Sequence, residues 1–275
     1  MRLSASPLAV GATLLGLVVL AALLAPWLTQ DPLKIDLDSV LAPPSVAHPL
    51  GTDGLGRDVA ARLAHGARTS LLIGFATGAL AIVLGLPVGA AAGYFGGVPD
   101  AIASRLIESA MCFPALVVAI ALLTVGPTWL VSLPEPLRIA LALGLISWIP
   151  SARYMRGEFR RLKASDAVTC ARAAGAGHMR IILRHLAPRS LAPVVVSLAF
   201  GIGSAALAEA SLSFVGVGIS PPRASWGELL YQASHQVGRA WWLAVFPGAA
   251  LFVLVLACNR LGEGLRDRLD PIRPS

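Results

Sequence analysis

Charge is scarce in this chain. Asp, Glu, Lys and Arg make up 13% of its 275 residues, about half of the roughly 25% usual in a soluble domain. Hydrophobic residues reach 56%, against about 45–50%. That balance excludes an ordinary soluble protein and describes one that crosses a membrane several times. Cysteine is nearly absent. Cys112, Cys170 and Cys258 are scattered, two of them in or beside apolar stretches, so there is neither a disulfide framework nor a cysteine metal site. They read as small packing residues. Nucleotide motifs are missing too. The stretch His48-Pro49-Leu50-Gly51-Thr52-Asp53-Gly54-Leu55-Gly56-Arg57-Asp58 is glycine-rich, but no strand precedes it and no Gly-Lys-Ser/Thr follows, so it reads as tight turns. Among His48, His65, His178, His185 and His235 no two stand four apart, which argues for structural or solvated roles. No paired carboxylates, Ser-His-Asp set or Cys-His set collects on one side of the membrane, so an intramembrane enzyme is a weak rival. A secondary transporter would show an inverted repeat and ionisable residues at the midplane. Neither is visible.

What the chain has is apolar length. About 20 apolar residues in a helix cross a hydrocarbon core of about 30 Å. Six stretches are expected to span, at residues 8–28, 70–94, 106–125, 137–150, 191–208 and 241–258. The fourth is short. Gly85, Pro87, Pro114, Gly201 and Gly203 interrupt the spans. Neighbouring helices can satisfy the backbone groups that proline frees, and small residues let helices approach closely. The first stretch exceeds the roughly 7–15 residues of a signal-peptide core, and Pro26 follows Ala25 at the place of a cut. A retained signal-anchor helix is expected. Trp226, Trp241 and Trp242 read as interface anchors.

The net charge of +7 is explained by placement. With the N-terminus inside, Lys34, Arg57, Arg62, Arg68, Arg138, Arg223 and Arg239 are external, and the other fifteen of 22 basic residues are cytoplasmic. Basic residues near spans stay inside. The excess is therefore topology, both ends are expected in the cytoplasm, and no soluble surface is left for nucleic acid. Residues 1–69 hold the first span and an external segment rich in Pro and Gly. Residues 70–271 form a core of five spans with a cytoplasmic loop at 153–189, and 272–275 is a tail.

That loop is the most informative segment. Ser165 or Asp166 can cap a helix start. Residues 167–174 are mostly small, and Gly175 stands where a left-handed C-terminal residue belongs. The result is a short helix with a low profile, able to seat in another protein's groove, with Arg172 placed for a rim ion pair and Ala171 expected to face the partner. A second amphipathic helix is expected at 179–186. On spacing alone, a solvated basic loop that docks nothing is the lesser but still open reading.

The loop resembles the EAA loop of ABC-transporter permeases. There Glu-Ala-Ala is followed by three residues and Gly, with Pro near the end. Thr169-Cys170-Ala171, Gly175 and Pro188 occupy those places. Thr169 stands for the Glu, Cys170 for the first Ala, and Ala187 for the usual Leu before Pro. Asp166 lies one helical turn before Thr169. Residues His48–Asp58 resemble the external signature of the dipeptide, oligopeptide and nickel permeases. Further resemblance lies in Gly93-Tyr94-Phe95-Gly96-Gly97 with Asp100, in Ala208-Glu209-Ala210-Ser211-Leu212-Ser213-Phe214 with Pro221-Pro222 and Ser225-Trp226-Gly227, and in Asn259-Arg260-Leu261-Gly262-Glu263-Gly264 with Leu269-Asp270-Pro271. It covers residues 8 to 271 and points to the second, six-span permease of such systems.

The resemblance implies an all-α membrane protein with the type I ABC importer permease fold, in the bacterial cytoplasmic membrane. It implies four partners in addition to lipid: a homologous permease, two ATP-binding subunits and an extracytoplasmic solute-binding protein. No cofactor belongs to this chain, since ATP and Mg sit on the ATPases, and the chain is not itself an enzyme. Coupling to the ATPases falls to Asp166, Thr169, Cys170, Ala171, Arg172, Gly175 and Pro188. The cargo is expected to be a di- or oligopeptide, with nickel or another small solute as the alternative. Glu209 leaves two readings, a pathway group at membrane depth or an interface carboxylate tied to the next loop. Ser211, Ser213 and Phe214 accompany it at that external gate, the two serines capping and holding the loop.

Overall fold

The computed structural model describes residues 6–269, the side chains of Leu191 and Ala192 excepted. Arg2, Asp270, Pro271 and the tail at 272–275 lie outside that range. The described residues are helical, with one isolated antiparallel bridge between Thr52 and Asp58. In chain order the helices are α1 (Pro7–Leu28), α2 (Val59–Phe95), α3 (Gly97–Met111), α4 (Ala115–Val125), α5 (Thr128–Val131), α6 (Glu135–Lys163), α7 (Asp166–Ala173), α8 (His178–Ile181), α9 (Ala187–Phe214), α10 (Trp226–Ser234) and α11 (Trp242–Leu269).

Among the described residues, four helices are long and apolar enough to cross a bilayer by themselves: α1, α2, α11 and the Pro193–Phe214 part of α9. The pair α3 and α4, bent by 83°, makes a fifth if it is one span. Six spans were expected, so the count falls short by one or two. The difference at the fourth place has a chemical cause. Helix α6 is long, but Glu135 and Arg138 at one end and Arg153 and Arg156 further on leave only its middle apolar. The break in the third span falls at Pro114, which precedes α4 as its N-cap. Proline biases the preceding residue away from the α region, so the helix cannot run through.

Several helices outrun the expected spans. Asp58 caps α2 by accepting from the Ala61 amide at 2.8 Å, so residues 59–69 are helical rather than part of an irregular external segment. At 37 residues and about 1.5 Å per residue, α2 is about 55 Å long, well beyond the hydrocarbon core. Helix α9 continues past 208 through Phe214, and α11 carries residues 259–269 as a helix.

The bundle is organised by the contact of α2 with α6. Gly85, Gly89 and Gly93 stand four apart on one face of α2. A Cβ at each would lie 2.6 Å from the Trp148 carbonyl oxygen, 2.3 Å from that of Ala152 and 2.5 Å from that of Arg156. Three turns of α2 therefore rest directly on the backbone of α6, a packing that only glycine permits. At the end of this seam Tyr94, Met155, Phe159 and Leu162 are buried together. Trp226 and Trp242 are also buried, donating from Nε1 to the Leu63 carbonyl (3.0 Å) and the Thr52 carbonyl (3.1 Å). Their expected role as interface anchors is therefore corrected to packing. Trp241 alone of the three is exposed.

Gly89→Leu should force α2 and α6 apart and lower thermal stability by at least the roughly 1–3 kcal/mol typical of overpacking. Gly157→Ala, on α6 with open space around it, should be neutral or slightly stabilising. Thermal unfolding of the purified chain in detergent, followed by tryptophan fluorescence, compares the two. Equal melting of both variants would contradict the seam.

Candidate functional site

Helix α7 starts and stops by different means. Ser165 has the extended backbone of an N-cap, but its hydroxyl donates to the Leu162 carbonyl at 2.7 Å and caps nothing. Asp166 also makes no side-chain cap and sits in the first turn, where a carboxylate favours the positive helix end. At the other end Gly175 has φ +78°. Its amide donates to the Arg172 carbonyl, and the Ala176 amide to the Ala171 carbonyl, both at 3.0 Å. This double closure needs a left-handed residue at Gly175, as the sequence implied.

Val168 anchors the helix. It is 1% exposed and lies in the cluster of Tyr94, Met155, Phe159, Leu162, Ile181 and Leu186. Ala171 and Ala176 pack against the same cluster. Ala171 therefore faces the chain's own core, which corrects the expectation that it faces outward. Asp166, Thr169, Cys170, Arg172 and Ala173 are the exposed residues of α7. Polar contacts frame the seat. The Tyr94 hydroxyl lies 2.9 Å from His178 Nδ1, and Lys163 stands over the Tyr94 ring. Asp100, at the start of α3, accepts from Arg156 Nη2 at 3.0 Å and pairs with Arg160. Asp100 thereby ties the start of α3, just beyond the end of α2, to the outgoing part of α6.

Pro188 is exposed and is not one of the seat's residues, although Leu186, two residues before it, is. The second helix expected at 179–186 does not end at the proline. It begins as α8, widens into a π turn at Ile182–Leu186 and runs on into α9. The Ala187 amide reaches back five residues to Ile182. Proline has no amide hydrogen and its ring crowds the carbonyl four residues back. A locally widened turn relieves both, and Pro188 sits exposed in the first turn of α9.

The opposite end is built from charge. Asp53 Oδ2 accepts from Arg57 Nε at 2.7 Å. Arg62, fully buried, donates from Nη2 to Glu228 Oε2 at 2.8 Å and stands 3.6 Å from Asp53. Gln232 bonds both Arg57 and Glu228. Burial pushes the Glu228 carboxyl above its ordinary range, and Arg62 draws it back. His48 Nδ1 lies 2.9 Å from Asp58 Oδ2. Gly51 and Gly56 both have positive φ, in keeping with tight turns. The motif at 48–58 is thus one half of a buried ionic joint whose other half is α10. The sequence offered no local sign of the Arg62–Glu228 pair, because 166 residues separate the partners.

Glu209, 0% exposed, is the second polar hub. It accepts from Ser225 at 2.7 Å, Ser213 at 2.8 Å and Ser70 at 3.3 Å. Ser213 also accepts the Ile219 amide at 3.2 Å, holding the loop after α9. Ser211 does not hold it. That residue is exposed and donates to the Leu207 carbonyl of its own helix. Phe214 is exposed at the end of α9. None of these four residues lines the large cavity of the chain. That cavity, about 870 Å³, opens between α2, α3, α4, α6 and α9. Among the described residues its walls carry hydroxyls from Thr77, Ser147, Ser151, Tyr154, Ser197 and Ser204, with Arg153 the one charged side chain.

Comparisons with known proteins agree on one kind of molecule. The family model for the binding-protein-dependent transport system inner membrane component matches residues 85–272. A Brucella suis protein provisionally named a peptide transport system permease is 41% identical over 265 residues, covering 95% of this chain and 86% of its own. The di/tripeptide transport system permease of Pseudomonas aeruginosa is 36% identical over 262 residues, covering 93% and 84%. Among solved structures, an inward-facing form of the MetNI methionine ABC transporter superposes with a TM-score of 0.57 at 20% identity, over 76% of this chain and 96% of that one.

Gly175→Val would place a β-branched side chain at positive φ, at a cost of about 1–3 kcal/mol. Hydrogen exchange at the amides of 166–177 should quicken while the α2–α6 seam stays protected. Thr169→Ala, on the exposed face, should shift stability by no more than about 0.5 kcal/mol. Unchanged exchange in the Gly175 variant would show that the turn is not strained.

Proposed function

Since the chain belongs to the family of binding-protein-dependent transport system inner membrane components, we propose that it forms half of the pore of an ATP-driven importer of di- or oligopeptides. Family membership makes it a multi-pass permease of the bacterial inner membrane rather than a catalytic subunit. The peptide cargo is inferred from the names of its relatives. The other half of the pore is a homologous permease, ATP with Mg binds on two partner ATPases, and an external solute-binding protein delivers the solute. Six spans, with α6 as the fourth and both ends cytoplasmic, complete this reading. The fifteen basic residues on the inner side support it.

The observation that carries the mechanism is the seat of α7. Its outer face carries the small Thr169, Cys170 and Ala173 between Asp166 and Arg172, and its inner face is pinned by Val168 to the ends of α2 and α6. Both helices also wall the cavity that opens between the spans. A push on the exposed face by a closing ATPase pair passes through a packed contact into the cavity wall. Asp166, Thr169, Cys170 and Arg172 meet the partner. Ala171 and Gly175 shape the support, and Pro188 acts through the widened turn that leads from it into α9. On the outer side Glu209 and Ser213 hold the gate loop, with Ser211 and Phe214 on its exposed surface.

A bulky substitution on the outer face of α7 tests coupling. Ala173→Trp should leave membrane abundance near normal and abolish dipeptide uptake, through lost ATPase assembly or lost coupling. Co-purification with the ATPases separates those two outcomes. Uptake of a labelled dipeptide equal to the parent's would remove α7 from the mechanism, and loss of nickel uptake alone would reverse the cargo.

Orientation is open to direct labelling. Expressed without the ATPases and with Cys112 and Cys258 replaced, the chain's exposed native Cys170 should react with an impermeant thiol reagent only in opened cells. Val46→Cys in a cysteine-free chain, at a fully exposed position, should react in intact cells. Reversal of the two patterns would invert the topology.

A further inference from the structure

A second cleft, of about 500 Å³, lies between the segment that follows α1, the first turns of α2 and the loop before α10. We propose that it binds the phosphate of an anionic phospholipid headgroup. Its polar lining is His65, Arg68 and Thr69 from α2 and Arg223 from the loop, with Leu33 and Pro222 as apolar wall. No carboxylate lines it. Among the described residues, neither Arg68 nor Arg223 stands within 4.0 Å of an Asp or Glu oxygen. Two guanidinium groups from separate segments thus share a cleft with no counter-charge from the described residues.

Depth identifies the ligand. Helix α1 ends at Leu28, and Thr29 Oγ1, just beyond it, lies 3.5 Å from His65 Nδ1. The cleft therefore opens where α1 leaves the apolar zone. Trp27, in the last turn, is exposed, as an aromatic at the headgroup level is. His65 Nδ1 lies 3.0 Å from the Ala61 carbonyl, so that nitrogen carries the hydrogen and donates there. Arg68 and Arg223 can each present a planar pair of donors, the geometry that suits phosphate oxygens. The apolar wall suits the glycerol and first methylenes of a lipid. The leaflet, but not the chemistry, rests on the orientation proposed above. On the outer side, basic residues near spans are the exception, and a bound phosphate gives these two a partner.

The test uses the full chain in non-ionic detergent and native mass spectrometry with added phosphatidylglycerol. The parent should retain the lipid, Arg68→Gln with Arg223→Gln should weaken retention about tenfold or more, and the double lysine variant should fall between. Diacylglycerol should bind poorly, and inorganic phosphate at equal concentration should not displace the lipid. Equal retention by the glutamine variant, or equal binding of diacylglycerol, would overturn the site. Displacement by inorganic phosphate would make it a free-anion site. Intact lipid binding with lost docking of the solute-binding protein would assign the cleft to a protein partner. A phosphatidylglycerol with a photoreactive headgroup covers the case of a misfolded variant. It should crosslink the parent at 65–69 and 222–224, and crosslinks confined elsewhere would refute the proposal. Dipeptide uptake is read separately, so failure of the transport reading leaves this result standing.

Discussion

Three glycines hold α2 against the backbone of α6. Gly85, Gly89 and Gly93 bring the axis of one helix close to the carbonyls of the other, where hydrophobic burial alone would give little specificity because lipid is as apolar as leucine. In the membrane, close van der Waals packing takes that role. Much of the structure follows from this contact. It aligns the ends of α2 and α6 so that Tyr94, Phe159 and Leu162 form one apolar seat. It also sets two of the helices between which the large cavity opens. Asp100, pairing with Arg156 and Arg160, closes the same end with charge.

The two ends of α2 are fastened by unlike physics. One end sits in the ionic joint of Asp53, Arg57, Arg62 and Glu228. Removing a single member there would leave a buried charge without its partner, which is strongly destabilising. The joint is therefore rigid and intolerant. The other end meets α7 through Val168, a methyl-bearing contact with no directional bond. Such contacts slide at small cost. A helix held by buried ion pairs at one end and by an apolar contact at the other is stiffly fixed at the first and more compliant at the second.

Glu209 illustrates the value of geometry in choosing between roles. Its composition alone allowed a pathway group. Three serine hydroxyls from α2, α9 and the loop before α10 saturate it, and it lies away from the cavity wall. A carboxylate so bonded organises the loop after α9 from within. Arg153, by contrast, opens the basic run at 153–189, yet among the described residues it is the charged residue of the cavity lining.

The sequence alone determined the class, because apolar length and scarce charge leave a chain few solvents. It also determined the short helix at 166–173 and its glycine stop, since both depend on neighbouring residues: small side chains, then a left-handed position. The turns at Gly51 and Gly56 were legible for the same reason. Span limits were less so. A helix does not end where hydropathy ends, and Asp58 began α2 a full three turns before the apolar stretch. The break at Pro114 and the widened turn before Pro188 depend on how the backbone accommodates proline, which spacing does not specify. Only tertiary structure decided which face Ala171 presents, that Trp226 and Trp242 are buried, and that Arg62 meets Glu228. Each of those facts depends on what lies across the bundle, and partners far apart in the chain leave no periodicity by which to find one another.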